Sequence, residues 1–312
     1  MKKILLILLP LLLFGDSKIV IEDFLGNKTI LEKPAQKHIF LSFCEMVAML
    51  DIWDNAVGLS QQVYNTPLLR ASNPNIDSIP KVGGGSGSNL NIEVLKKLNP
   101  DIVVVWAGKK ASINFVRENG INIIAFYPNS ITSLIADMQT ISKALGKEKL
   151  FDKKIQKGYE IIKLIESKKE KIETKKTALY LWSKPNDISG GVGMIASMLD
   201  LIGVENLGKN INTDSIQVSI EQIIKLNPDI IFIWGAARFS VQDILDNKQL
   251  KNIKAVQNKA VYKMPLWDNW GPRILETSLL AAKLAYENLY SDIDVDKIIG
   301  DFNKELFGID AR

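Results

Sequence analysis

The chain has 312 residues, 46% of them hydrophobic and 24% charged, with a formal net charge of +4; this length exceeds one ordinary domain and suits two lobes of roughly 120 to 140 residues. The composition excludes a disordered or fibrous chain, and so small a net charge excludes the basic field on which a nucleic-acid partner depends. One cysteine, Cys44, excludes an intramolecular disulfide.

In chain order the first element is a leader. Lys2 and Lys3 precede an apolar run from Ile4 to Phe14, too short to span a bilayer and suited to the h-region of a secretory signal. Small residues Gly15 and Ser17 set the cleavage point after Ser17, or after Gly15 in the alternative, and no cysteine follows to carry a lipid anchor. The mature chain is therefore expected to be exported and free in the periplasm. Lys18 to Asp23 and Lys28 to Leu31, around Gly26-Asn27, predict a hairpin. Short apolar runs then alternate with amphipathic segments. Strands are predicted at His38 to Ser42, Ala56 to Ser60, Ile102 to Trp106 and Ile121 to Phe126, and again at Thr177 to Trp182, Ile230 to Trp234 and Ala260 to Lys263. Between the two sets lies a charged stretch from Glu148 to Lys175 in which Leu150, Ile155, Ile161, Ile162, Leu164 and Ile165 recur. A charge run of this kind is usually a solvated helix; its place between two α/β units predicts a stiff connector. The expected organisation is a signal peptide over 1–17, an N-terminal α/β lobe over 18–147, a connecting helix over 148–175 and a C-terminal α/β lobe over 176–312. That is two Rossmann-like lobes joined by a long rigid interlobe helix, with a ligand cleft between them.

The strongest internal signal is a repeat. Residues 92–106 (IEVLKKLNPDIVVVW) align without a gap on 220–234 (IEQIIKLNPDIIFIW) at an offset of 128, with nine of fifteen positions identical. Each copy reads as a short helix stopped by Asn-Pro and followed by a buried strand that ends on tryptophan. Further marks flank the repeat: residues 38–45 (HIFLSFCE) with 54–58 (DNAVG), Val82-Gly83-Gly84, Met198 to Asn206, and Val261 to Pro265.

Over nearly the whole mature chain these residues resemble the class III periplasmic binding proteins, the substrate-binding family of ABC importers for siderophores, haem and cobalamin. Ile52-Trp53 depart from the pattern, where a small residue or glycine is common. The resemblance implies a carrier without catalytic residues, passing its ligand to an importer permease through one acid on each lobe; the matching positions are Glu93 and Glu221. A carboxylate in the first turn of a helix is also favourable for its own sake, by about 0.3–1 kcal/mol, with Asn91 and Ser219 as N-caps.

In open α/β sheets ligands bind beyond the carboxyl ends of the strands, which directs attention to the residues just after each one. In the first half these are Phe43, Cys44, Glu45, Gln61, Tyr64, Trp106, Lys109, Lys110 and Tyr127; in the second, Trp182, Lys184, Trp234, Arg238, Trp267, Trp270 and Arg273. Five of the six tryptophans fall there. One such tryptophan is as readily core as contact, but five suit a large conjugated or partly apolar solute. Arg238 and Arg273, with Lys109 and Lys184 behind them, offer charge to an anionic chelate; surface lysine is the plain alternative. Cys44 is read first as a small hydrophobe and second as a thiol at the pocket floor. Tyr64, Tyr127 and Tyr180 are each open as a phenolate ligand.

A bare transition metal does not suit a chain with one histidine, and that residue, His38, opens a strand at the end remote from the cleft. It cannot complete a Ser-His-acid set either. The glycine runs at Gly83–Ser88 and Gly190–Gly193 lack the ending of a P-loop; the first is read as a loop over the cleft, the second as at most an anion site at a helix start. With the resemblance, the expected ligand is a metal chelate, a ferric siderophore first, with cobalamin, haem or a nickel chelate as alternatives. No resident cofactor is expected. The chain is read as a monomer, and a sensor or adhesin on the same fold is the competing class.

Overall fold

The computed structural model describes residues 18–85 and 90–309. The expected signal peptide, and residues 86–88 of the glycine-rich loop, lie outside the described residues. The predicted hairpin is present as β1 (Ile19–Glu22) and β2 (Lys28–Leu31), antiparallel with Ile19 opposite Leu31 and Glu22 opposite Lys28. Its turn is shaped by Asp23, whose carboxylate accepts from Leu25 N and Asn27 N at 3.0 Å each, and by Gly26 at φ 75°, a conformation that favours glycine. Asp23 also pairs with Arg117 and accepts from Ala125 N. One buried carboxylate thus closes the turn and ties the hairpin to the first lobe.

The first lobe holds a four-stranded parallel sheet of β3 (His38–Phe40), β4 (Ala56–Leu59), β5 (Ile102–Trp106) and β6 (Ile123–Phe126), in the order β4-β3-β5-β6. These strands read as continuous apolar runs because helices cover both faces. The helices are α1 (Glu45–Met49), α2 (Pro67–Ser72), α3 (Ile92–Leu98), α4 (Lys110–Glu118) and α5 (Ile131–Ala144). The second lobe holds β7 (Thr177–Leu181), β8 (Asp187–Ser189), β9 (Glu205–Asn206), β10 (Ser215–Gln217), β11 (Ile230–Ile233) and β12 (Val261–Lys263). Here β9, β7, β11 and β12 run parallel, while β8 is antiparallel to both β7 and β10. The three strands β8, β9 and β10 were absent from the sequence reading. Several strands also end one or two residues early; β3 stops at Phe40, for example, because the chain bends at Phe43, which sits at φ 55°.

The connecting helix is α6 (Glu148–Lys169), 22 residues long and six short of the expected 148–175. It is followed by α7 (Met194–Leu201), α8 (Ile220–Leu226), α9 (Val241–Leu245), α10 (Lys254–Gln257), α11 (Ile274–Ala285) and α12 (Val295–Phe307). Phe151, Ile155, Gly158, Ile161 and Ile165 form the buried stripe of α6, which packs on α5 of the first lobe and on α7, α11 and α12. Gly158 permits the closest approach: a Cβ there would lie 2.6 Å from Leu275 Cδ1 on α11. As a result one apolar core runs without a break from Ile21 in the hairpin through α6 to Phe302 in α12. Two smaller clusters fill the outer faces, one around Val103, Val105 and Leu95, the other around Ile231, Ile233 and Leu179. Among the described residues no helix is long and apolar enough to cross a membrane.

Candidate ligand cleft

In the first sheet the strand order reverses between β3 and β5, and in the second between β9 and β11 on either side of β7. Such switch points open a crevice at the carboxyl ends. The residues set there are Trp106 at the end of β5, Tyr127 just past β6, Trp182 past β7 and Trp234 past β11. The segment after β12 supplies Trp267 and Trp270.

These rings form one continuous run across both lobes. Phe24 of the hairpin lies 5.4 Å from Tyr127, Tyr127 5.0 Å from Trp106, and Trp106 5.7 Å edge-on from Trp270. Trp270 stacks on Trp182 at 5.8 Å and 12°, and Trp182 meets Trp234 at 5.7 Å and Tyr180 at 5.1 Å. The indole nitrogen of Trp182 is buried without a hydrogen-bond partner among the described residues. At the rim the Tyr127 hydroxyl donates to Asp214, and Ile131 N donates to Ser197 Oγ at 3.1 Å, both between lobes. Burial, followed by the Asp214 bond, pushes the Tyr127 phenol up to about 12.

Five of the expected contacts, Trp106, Tyr127, Trp182, Trp234 and Trp270, are therefore brought together. Others fall elsewhere. Tyr64 is 2% exposed and its hydroxyl donates to Ile79 O and Pro80 O, so it is a core residue and not a cleft contact. Phe43 is likewise buried, edge-on to Phe126 at 5.7 Å. Arg273 departs from the free cation expected: it is 3% exposed, its Nε donates to Glu276 at 3.1 Å, and its guanidinium lies 4.7 Å over Trp267. Lys109, Lys110, Lys184 and Arg238 are exposed after their strands, as is Gln61. Tyr180 is buried under Trp182, its oxygen accepting from Asn269 Nδ2 at 3.2 Å.

Glu45 starts α1 with 2% exposure and neither oxygen bonded. Facing it from the second lobe are Asp268, Arg273 and Glu276. The sequence reading missed Asp268 and Glu276; an acid inside a Trp-Asp-Asn-Trp run was the available signal. Phe24 and Asp214 were missed as well. Cys44 donates weakly to Phe40 O at 3.5 Å, and burial raises its thiol far above the usual range. His38 is fully buried at the start of β3 and edge-on to Phe40; burial lowers its imidazole to about 4. The Gly190-Gly191 pair serves packing: a Cβ would lie 1.8 Å from Thr213 O or 2.0 Å from Lys209 O. Their N–H groups donate to Asp214 O and Ile211 O and are not aimed at an anion.

The two repeat helices are matched at both ends. Asn91 accepts from Glu93 N at 3.0 Å and Val94 N at 3.2 Å, while Ser219 and Gln222 cap each other reciprocally. Both helices end on a left-handed asparagine, Asn99 at φ 47° and Asn227 at φ 45°. Glu93 and Glu221 are exposed in the first turns. Because each helix runs back along its sheet before the next parallel strand begins, its first turn lies toward the edge that carries the tryptophans. The Glu221 carboxyl is held below its ordinary range by a backbone N–H of its own turn and by Ser219.

Two lobes, a shared core and an aromatic seam between strand ends define a cleft-type solute binder. A family model for periplasmic binding proteins matches residues 39–266, and the chain belongs to that family, in its class III. It is 23% identical to the molybdate-binding protein MolA of Haemophilus influenzae, over 94% of this chain and 89% of that one. It is 26% identical to the Fe(3+)-citrate-binding protein YfmC of Bacillus subtilis, over 88% and 87%. Among solved structures, Helicobacter pylori CeuE in complex with Ni-His superposes with a TM-score of 0.85 at 31% identity, covering 94% of this chain and 96% of that one. Members of the family are substrate-binding proteins of ABC importers and work outside the cytoplasmic membrane.

Proposed function

We propose that this chain captures an intact metal chelate in its aromatic cleft and delivers it to an ABC importer permease docked at Glu93 and Glu221. The observation that carries the reading is the ring run from Tyr127 through Trp106, Trp270 and Trp182 to Trp234, which spans both lobes. Flat indoles hold a conjugated or partly apolar solute by area and stacking. The metal arrives wrapped, since the single histidine lies in the core. The working form is a monomer free in the periplasm.

The ferric siderophore expected from the mixture of arginines and tryptophans loses part of its support, because Arg273 is spent on Glu276 and Trp267 and acids outnumber it at the cleft floor. A chelate of low net charge fits that floor better. The likeness to CeuE, solved with Ni-His, favours a nickel chelate as the second reading. Titration of the purified mature chain with ferric citrate, nickel with two equivalents of L-histidine, cobalamin and haem, followed by tryptophan fluorescence, tests both. Quenching that saturates with nickel-histidine and not with ferric citrate is the expected result. Preference for ferric citrate overturns the low-charge reading, and indifference to all four overturns chelate capture.

A further inference from the structure

Beneath Trp270 lies a group of charges, three of them buried and Asp268 half-buried, that capture of an apolar ring system does not require. Glu45 comes from the first lobe; Asp268, Arg273 and Glu276 come from the second. Side-chain exposure is 4% for Arg273 and 0% for Glu276, and Glu45 is 2% exposed. Arg273 Nε is bonded to Glu276, while Arg273 Nη2, Glu276 Oε1 and both Glu45 oxygens have no partner. Asp268 accepts from Trp270 N at 2.8 Å and so shapes the turn that presents the indole. Gly271 is all that separates the two facing acids: a Cβ on it would lie 2.8 Å from Glu45 Oε2 and 3.2 Å from Asp268 Oδ2.

Glu45 and Glu276 are closed off from water and Asp268 is half-buried beside them; with one guanidinium among them the carboxyl groups cannot all be ionised, because each unpaired buried charge costs several kcal/mol. At least one proton has to be held within the group. Glu45 is the natural holder: Asp268 accepts a well-formed bond from Trp270 N and Glu276 is paired with the Arg273 guanidinium, whereas Glu45 has only the weaker pull of the Arg273 backbone N–H and charge and no well-formed bond to either oxygen. We infer that Glu45 is a positioning residue for ligand capture: as a neutral, proton-bearing carboxylic acid it keeps the Asp268–Arg273 turn, and with it Trp270, seated against the first lobe. Loss of that proton to solvent sets two carboxylates against each other across Gly271 and unseats the turn. Since Trp270 is the ring that joins Trp106 to Trp182, the protonated state is the one with a continuous aromatic wall.

The surroundings agree with this assignment. Burial first, and then the facing Asp268, raise Glu45 well above the usual carboxylate range against the pull of Arg273. Burial also raises Asp268, opposed by the Trp270 N–H and Arg273, and brings Glu276 to about 7. On its own element Glu45 adjoins only the Cys44 thiol. From α2, Arg70 is exposed and paired with Asp77, and from α12 the charged residues Asp296, Lys297, Asp301, Lys304 and Glu305 face solvent while Asn303 is buried.

The inference deepens the cleft reading, so its test uses no ligand. The stacked Trp182–Trp270 pair gives an exciton couplet in circular dichroism, isolated as the difference between the wild type and Trp270→Phe. In the wild-type mature chain this difference is expected to be full in mild acid and to fade as pH rises. In Glu45→Gln, which keeps the shape and neutrality of the protonated acid, it is expected to stay full throughout. Asp268→Asn removes the facing charge and is expected to move the wild-type transition to lower pH. A wild-type couplet indifferent to pH overturns the inference, as does a Glu45→Gln variant that titrates like the wild type or an Asp268→Asn midpoint that does not move. Failure here leaves chelate capture standing, and failure of the chelate titration leaves the role of Glu45 standing.

Discussion

The two halves use one module in the same way and finish it differently. In each, a short helix ends on a left-handed asparagine, Asn99 or Asn227, and the aspartate of the Asn-Pro-Asp unit anchors the start of the neighbouring central strand. Asp101 accepts from Gln36 N and Lys37 N at 2.7 and 2.9 Å, just ahead of β3. Asp229 accepts from Thr177 N and Thr177 Oγ1 at 2.8 and 2.7 Å, at the start of β7. The repeat therefore encodes a strand anchor as well as a helix and a strand. The difference appears at the other end. Among the aromatic pairs of the described residues, Trp106 reaches Trp270 of the opposite lobe, whereas Trp234 pairs with Trp182 of its own. Duplicated residues build the frame, and segments that occur once, Phe24, Glu45 and 264–276, complete the seam between the halves.

The largest expected effect tests whether the two halves act together at the membrane. Glu93→Ala combined with Glu221→Ala is expected to abolish chelate uptake by whole cells while chelate affinity of the purified protein is unchanged. A loss of affinity, or uptake at the wild-type rate, removes the docking assignment. Next in size is the contrast between the two module tryptophans. Trp106→Ala opens the seam between lobes and is expected to weaken chelate binding about tenfold, or roughly 1.4 kcal/mol. Trp234→Ala trims one end of the run and is expected to cost less than half of that in free energy. Equal losses in calorimetric titration would mean that the interlobe contact of Trp106 carries no special weight.

Much of this comparison was legible in the sequence because buried parallel strands are apolar from end to end, and the Asn-Pro stop and terminal tryptophan recur at fixed spacing. The predicted hairpin and every predicted strand have counterparts. The strands that escaped notice lack such a signature: β10 is exposed along its whole length, and β9 has two residues, so each exists only through its pairing. The end of α6 was misplaced because no glycine or proline punctuates residues 166–176. Position after a strand located the cleft but not the direction of each side chain, which is why Tyr64 was expected to face the ligand and lies in the core. The groups that face Glu45 lie over 200 residues away in the chain, and no local pattern announces such an approach, whereas the Arg273–Glu276 pair stands at i,i+3 and was open to a local reading.

The smallest effect separates the two anchoring aspartates. Both sit where a carboxylate satisfies two donors at a strand start; the donors to Asp101 are exposed and can turn to water, those to Asp229 are part-buried, and replacing either with alanine is expected to cost about 1 kcal/mol or less, more at 229 than at 101. Asparagine distinguishes them. At 101 a single oxygen, Oδ2, accepts both bonds, so the amide oxygen of Asp101→Asn can take its place. At 229 one oxygen serves Thr177 and the other pairs with Lys254 at 3.1 Å, and the amide cannot reproduce both. Burial raises the Asp229 carboxyl, but the donors from Thr177 and Lys254 outweigh it and leave the group below its ordinary range. A depressed acid contributes stability above its unfolded pKa, and that contribution is lost as pH falls through the folded value. Asp229→Asn is therefore expected to lower the Tm more than Asp101→Asn at neutral pH, with the gap from the wild type closing in acid. Thermal unfolding of the three proteins across that range decides it; equal shifts, or a gap that widens in acid, would show that the two anchors do not differ in the way their contacts require.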